Sequence, residues 1–500
     1  MLHKLESLFL FNLRDALRNI TKSAVIVLAL INDFMNKSKR IALAFCLFMG
    51  LSQHLFSQFS NAANEKQFTV PQLQHDFKVF RHKFESTLAN LYLYTPKPQL
   101  DSIFDAYYHS ISPMTEREFY NFITPLLSVI KDGHSLILPA AETAAMHAHN
   151  ALYFPFQVYW YNGHLYTIHN FSADTSIADG SEIISINNKK AEDIIAFLCS
   201  RQVRDGENQT YPLWIINRYF RGYYGISFGY PERYNIILKL SDGTSRKYTV
   251  SGVSNDSIAI RKSTRYTNSN AINQQGIHLK VNGKTAVLSI STWDTKILRT
   301  LYHQQFKKEI DAAFRQIAIQ KIEHLIIDIR DNQGGDAIYG DYLLGYLLQQ
   351  PYQYTTGVFK VMKHGTNEQQ LQRVATDFSK VHQPRKNSFK GMVYVLINGG
   401  SFSNSGIFSS RLQWYRRGVF IGEEAAGNKT VLTGVFGIGG KTILPNTKII
   451  CDRSNYRILI SDVSANDGHG VVPDIAVTPS AQDIIQGRDP VMEKVMELIK

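Results

Sequence analysis

The sequence predicts an α/β layer fold for residues 261–500, preceded by a helical segment and a small β module. Three patterns predict it. Over 275–500, short apolar runs that read as buried strands alternate with amphipathic helical stretches, the order that builds a sheet with helices on its faces. Over 65–130, apolar residues recur at three and four, the helical period. Over 150–260, aromatic and β-branched runs are broken by Asn and Gly turns. Five hundred residues exceed a single core, so several domains are expected, with boundaries at 1–57, 58–150, 151–260 and 261–500.

Near the N-terminus, residues 35–57 read as an export signal: Lys37, Lys39 and Arg40 form a basic start, 41–51 an apolar run, and 52–57 a polar exit with a small residue for cleavage. The run is short for a membrane-spanning helix. Phe45 before Cys46 is too bulky for a lipoprotein signal. Residues 1–34 read as an upstream extension or as a second, weaker apolar anchor around 24–31; a buried amphipathic helix is the alternative. The stretch 72–94 spaces Leu73, Phe77, Phe80, Phe84, Leu88 and Leu91 along one helix, punctuated by Pro96 and Pro98. A second helix is expected over 100–110. A third starts near Thr115, where Thr115 and Glu118 approach a capping box ahead of Phe119, Phe122 and Leu126.

In 151–260, the stretches 152–160 and 165–168 are expected strands on either side of an Asn162-Gly163 hairpin turn. Residues 180–188 read as strand and turn, and 191–198 as a short helix. Small strands with one helix suit a peptide-binding β module. In the α/β part, 285–290 is a strand, 298–319 one long amphipathic helix, 325–329 a buried strand, 339–348 a helix, 392–397 another buried strand and 408–415 the next helix.

Three turns have the residue types for chemistry. The stretch from Asn398 to Ile407 joins a buried strand to a helix start and contains Ser403. Ligands in α/β folds gather at the carboxyl ends of strands, and a helix N-terminus favours negative charge. Taken alone, such a Gly/Ser-rich turn is usually a turn and an N-cap. The second, Asp331-Asn332-Gln333-Gly334-Gly335-Asp336, also comes directly after a buried strand. Its glycines bring backbone N–H groups close to a substrate oxyanion, worth about 10²–10³ in rate, or else make a plain left-handed turn. The third, Lys131-Asp132-Gly133-His134-Ser135, puts a base that titrates near neutrality on a polar turn. The P-loop-like Gly440-Lys441-Thr442 is rejected, because Val435 stands where the first glycine belongs and Ile443-Leu444-Pro445 stands where a helix should begin.

Composition narrows the classes. The net charge is +12, and 1–57 holds seven basic and three acidic residues, which leaves a modest excess of +8 over the rest. No dense basic stripe with interleaved aromatics argues for nucleic acid. Cys46, Cys199 and Cys451 lie far apart without CxxC spacing, so a structural zinc site is not expected.

Taken together and in order, these residues resemble the C-terminal processing (tail-specific) peptidases and their tricorn-core relatives, over roughly 70–500. Asp328, Arg330, Asn332, Gly334 and Gly335 match a strand-end motif of that family. Ser401, Ser403, Ser405 and Ile407 match its Ser-x-Ser-x-Ser-x-Ile turn. Ile421-Gly422-Glu423, Gly427, Leu444-Pro445-Asn446 and Gly470-Val471-Val472-Pro473-Asp474 match later segments. Gly180 to Asn188 is similar to the end of its PDZ module. The resemblance implies a crotonase/ClpP-like α/β catalytic domain preceded by a helical N-terminal domain and a small PDZ-like β module. It also implies a serine-type endopeptidase acting near the C-termini of proteins or peptides, without metal or organic cofactor, in a periplasmic or extracellular location. Peripheral membrane association through the N-terminus is compatible with it.

One departure decides the expected mechanism. The family's Ser–Lys branch places its lysine where this chain has Asn428, and its assisting Gln where it has Leu432; Lys429 is out of register by one. The tricorn-like branch takes a His from an upstream turn, which Gly133-His134-Ser135 resembles. The resemblance therefore implies Ser403 as nucleophile, His134 as general base and the N–H groups of Gly334 and Asn404 as oxyanion hole. Asp467 is the candidate orienting acid, Ser135 a candidate support for the His, and Asp328 and Arg330 are structural. The competing readings are a peptide or hydrophobic-ligand binding protein on the same fold and a membrane-tethered scaffold.

Overall fold

The computed structural model describes residues 65–240, 242–266, 276–362, 370–434 and 440–500. The export signal expected at 35–57 lies outside them. The chain divides into two units between Gln67 and Phe68, and the larger, 68–500, holds the two six-stranded sheets and their helices.

The first helix, Val70–Thr87, buries Leu73, Phe77, Phe80 and Phe84, all on one face at the helical period. Phe80 packs at a tilt against Phe84 at 4.4 Å and meets Phe104 of the helix Lys97–His109 edge-on. Each such ring contributes about 1.5–3 kcal/mol by leaving water. The helix stops at Thr87 rather than running to 94. Leu88 turns to extended backbone, and the Ala89 N–H goes to the Ser454 carbonyl, so a contact from the far end of the chain outbids another helical turn. The Thr115–Glu118 capping box forms at the start of Glu116–Ile123.

The segment 151–260 carries five antiparallel strands in the order Phe156–Tyr161, His164–Asn170, Glu182–Ile186, Arg233–Lys239, Ser245–Ser251. Asn162 and Gly163 make the hairpin turn with φ of 48° and 81°, the pair of positive values such a turn requires. Besides the expected helix, seen as Ala191–Cys199, a long helix Thr210–Phe228 runs beneath the sheet. Its aromatic and β-branched residues favour strands, but burial of Tyr211, Ile215 and Ile216 before a kink at Tyr219, and of Phe220 and Tyr224 after it, overrides that preference.

The α/β part has a sheet of six described strands in the order Ile277–Asn282, Thr285–Ile290, His324–Asp328, Met392–Ile397, Val419–Gly422, Ile475–Ala476. The first pair is antiparallel and the others parallel. Leu325, Ile327, Val393 and Val395 face the helices Phe306–Ile319, Ala337–Leu347 and Asn404–Trp414. Ile326, Tyr394 and Leu396 face Pro490–Ile499 on the other side. Burial on both faces is why the central strands read as unbroken apolar runs. The single helix expected over 298–319 is two, Thr295–Thr300 and Phe306–Ile319, separated at His303, whose φ is 55°. The break frees Gln304 to bond both the N–H and the carbonyl of Ile277, at 2.8 Å each. Among the described residues, no helix is long and apolar enough to cross a membrane.

Candidate active site

The strand Met392–Ile397 ends in the turn that carries Ser403, and the helix Asn404–Trp414 starts directly after it. Ser403 has φ 56° and ψ −115°, outside the usual region for a residue with a Cβ. Such a conformation persists only where the surroundings enforce it. Here they do. Asn398 Oδ1 accepts the N–H groups of Gly400 and Asp331 at 2.9 Å each. Ser401 Oγ donates to the Ile329 carbonyl and Ser405 Oγ to the Asn332 carbonyl, both at 2.8 Å. The Phe402 N–H donates to the Asn332 carbonyl at 3.0 Å. The outer serines of the Ser-x-Ser-x-Ser turn are thus buried braces that tie it to the end of the neighbouring strand His324–Asp328.

The second loop closes over the same spot. Gly334 has φ 93°, and a Cβ there would lie 2.6 Å from Ser403 Cβ and 2.9 Å from Asn404 N. Its own N–H, expected as an oxyanion donor, is engaged by Asn332 Oδ1 at 2.9 Å. Among the described residues, the N–H groups of Gly335 and Asn404 have no hydrogen-bond acceptor. The loop therefore presents donors at Ser403, but the Asn332 side chain occupies the one expected from the sequence. Arg330 reaches Asp328 and Asp489 in paired bonds of 2.7–2.9 Å and fastens the loop to the C-terminal helix.

His134 comes from far upstream. The helix Leu126–Ile130 ends on Lys131 in left-handed conformation, and the turn that carries His134 follows directly. His134 Nε2 lies 3.0 Å from Ser403 Oγ, and its ring packs on Phe402 at 4.5 Å. Burial lowers its pKa to about 3, so the imidazole is neutral. Nδ1 is buried with no hydrogen-bond partner among the described residues.

The other expected positions lie elsewhere. Ser135 Oγ is buried and donates to Asp132 Oδ1 at 2.8 Å, so it braces the turn and does not reach the His134 ring. Asp467, half exposed, pairs with Lys429 Nζ at 2.6 Å and does not orient His134. That pair also accounts for Lys429. Asn428 is buried, accepting from Thr430 and Val431 and donating to Asn466. Cys199 and Cys451 are both free thiols.

Sequence reasoning missed the contribution of 202–214. Asp205 Oδ1 accepts the Gly133 N–H at 2.9 Å beneath His134. Trp214 Nε1 donates to Asp331 at 2.6 Å and lies where a Cβ on Gly400 would fall, 2.5 Å away, so the helix Thr210–Phe228 seats directly on the nucleophile turn. Tyr211 stacks on Phe402 at 4.4 Å and donates to Gln333. A helical period in the apolar residues of 210–228 was the available signal; for Asp205 there was none.

Comparison with known proteins agrees with this architecture. Residues 284–477 match the model of peptidase family S41. It is 30% identical over 153 residues to a tail-specific protease of Haemophilus influenzae, covering 30% of this chain and 19% of that protein. It is 24% identical over 229 residues to a putative tricorn-like protease C-terminal subunit of Sulfurisphaera tokodaii, covering 45% and 22%. The chain thus spans about a fifth of the length of these curated relatives. The solved structure of mature CPAF complexed with lactacystin is similar in fold, with a TM-score of 0.61, 16% identity, and coverage of 86% of this chain and 98% of that one.

Proposed function

We propose that the peptidase family S41 domain makes this chain a serine-type endopeptidase that cleaves proteins or peptides near their C-termini, with Ser403 as nucleophile and His134 as general base. The observation that carries the proposal is the 3.0 Å approach of His134 Nε2 to Ser403 Oγ across 269 residues of sequence. It is made to a serine held in a strained turn at the end of a central strand. Ser403 Oγ attacks the scissile carbonyl carbon while Nε2 takes its proton. The Asn404 N–H and an N–H of the Gly334–Gly335 segment hold the oxyanion. His134 then protonates the leaving amine, and a water activated by the same nitrogen releases the acyl group. With no carboxylate on Nδ1 among the described residues, the pair is read as a dyad.

The α/β part is read as a crotonase/ClpP-like catalytic domain, 68–150 as its helical N-terminal domain, and 151–260 as a PDZ-like module. The antiparallel sheet of 151–260 and its helix against the nucleophile turn support the last reading. The basic and apolar pattern of 35–57 supports export to a periplasmic or extracellular location.

Labelling with a serine-directed phosphonate and peptide mapping tests the mechanism. The expected result is an adduct on Ser403, absent in Ser403→Ala and strongly reduced in His134→Ala. A folded protein that takes no label under any condition would favour a binding role, and label that survives His134→Ala but requires Lys429 would restore a Ser–Lys mechanism.

A further inference from the structure

Beneath the His134 turn lie two buried carboxyl groups that the catalytic steps do not use. Asp132 and Asp205 are 1% and 2% exposed. They hold three consecutive residues of the turn between them. Asp205 Oδ1 accepts the Gly133 N–H at 2.9 Å, while Asp132 Oδ1 accepts the His134 N–H at 3.2 Å and the Ser135 hydroxyl at 2.8 Å. The second oxygen of each, Oδ2, is buried and has no hydrogen-bond partner among the described residues. Two ionised carboxylates side by side in such a place are costly, because burial strips each of its solvation and the like charges repel.

Among the described residues, the groups around the pair supply no positive charge. Lys131 on the same turn reaches outward to Glu207. Arg204 donates to Gln209 and the Cys199 carbonyl. Tyr94 from the N-terminal helices, Tyr211 from the long helix, and Asn428 and Thr433 from the later strand segment face the site as neutral groups. His134 is neutral as well. Asp132, with two donors, is the better supported anion. Asp205, with one, is the better proton carrier.

We propose that Asp205 is a positioning residue that holds the His134 turn as a neutral acid, and that its ionisation beside Asp132 unseats His134 from Ser403. Burial first, and the Asp132 charge second, push the Asp205 carboxyl up to about 8, which sets where that loss falls. The proposal rests on the peptidase reading for its kinetic consequences but not for its proton count.

The same raised value links Asp205 to stability. Its folded value lies above the unfolded one, so the stability it contributes is full below about 4 and is lost as pH rises to about 8.

Two measurements on Asp205→Asn and Asp205→Ala test it. In kcat/KM against pH, Asp205→Ala is expected to lose about tenfold or more, in kcat rather than KM. Asp205→Asn, which keeps a neutral acceptor for the Gly133 N–H, is expected to recover most of that loss and to move the alkaline limb up by a unit or more. Thermal melts of the same variants on a Ser403→Ala background need no activity. There the Tm of Asp205→Asn should gain on its parent as pH rises from about 5 to 8, then hold. An unchanged alkaline limb, or a Tm difference constant with pH, overturns the proposal. A wild-type chain without peptidase activity would sink the peptidase reading, and the melts would still decide the charge state.

Discussion

The two turns that meet at the candidate site are held in opposite ways. The Ser403 turn is braced by neutral hydrogen bonds: Asn398, Ser401 and Ser405 each satisfy a backbone group of their own or of the neighbouring loop, and none of those bonds involves an unpaired charge. The His134 turn hangs on two buried carboxyl groups, and His134 Nδ1 and both Asp Oδ2 atoms lack partners among the described residues. A network of neutral, satisfied bonds is indifferent to pH and expensive to break anywhere. A turn held by under-donated acids is sensitive to protonation and to single substitutions. The nucleophile is thus fixed by geometry and the base by electrostatics.

The largest effect expected from breaking the comparison is chemical. Ser403→Ala and His134→Ala should each lower kcat by about 10⁴-fold or more, and the double variant little further, because the two act as a unit. Steady-state kinetics on a peptide substrate checks this; additive losses would separate the two residues. Next comes the bracing of the nucleophile turn. Ser401→Ala leaves the buried Ile329 carbonyl with only the longer Asn332 N–H bond and takes away the acceptor of the Asn398 N–H, a cost of about 1–3 kcal/mol. Chemical denaturation should show that loss at every pH, in contrast to the Asp205 variants.

The His134 turn should respond to acid. The folded value of about 3 lies below the ordinary 6.5, so an unfolded chain takes up a proton there that the folded chain excludes. The stability tied to His134 is present above about 6.5 and is lost as pH falls toward 3. Between pH of about 7 and 4 the Tm should therefore fall more steeply in the parent than in His134→Ala. Parallel curves would remove the electrostatic half of the comparison. The smallest effect belongs to Lys429→Ala. Its partner Asp467 is half exposed, such pairs contribute about 0.2–1 kcal/mol, and kcat/KM should change less than about threefold.

The nucleophile turn was legible because its information is local. A buried strand, a Gly-Gly turn, alternating serines and a helix start occupy fewer than twenty consecutive residues, and each obeys a short-range rule. The His134 turn was legible only through its resemblance to a family, since one His among 16 carries no local signal. Its supports were harder still. The resemblance implied Asp467 as the acid that orients the His, but it pairs with Lys429; Asp205 does touch the turn, and nothing near it in sequence marks it.

The sequence by itself determined the strands and their two-sided burial, the capping box at Thr115, the Asn162-Gly163 hairpin and the strand-to-helix turn around Ser403. All of these depend on residues a few positions apart, where backbone geometry and the apolar period act directly. The tertiary structure alone decided that the helix ending at Thr87 stops there and that 210–228 is a helix seated on Gly400. It alone decided that His134 Nδ1 meets no carboxylate among the described residues. Each of those outcomes is set by contacts between segments distant in the chain, where burial and hydrogen bonding outweigh the local preference of any one of them.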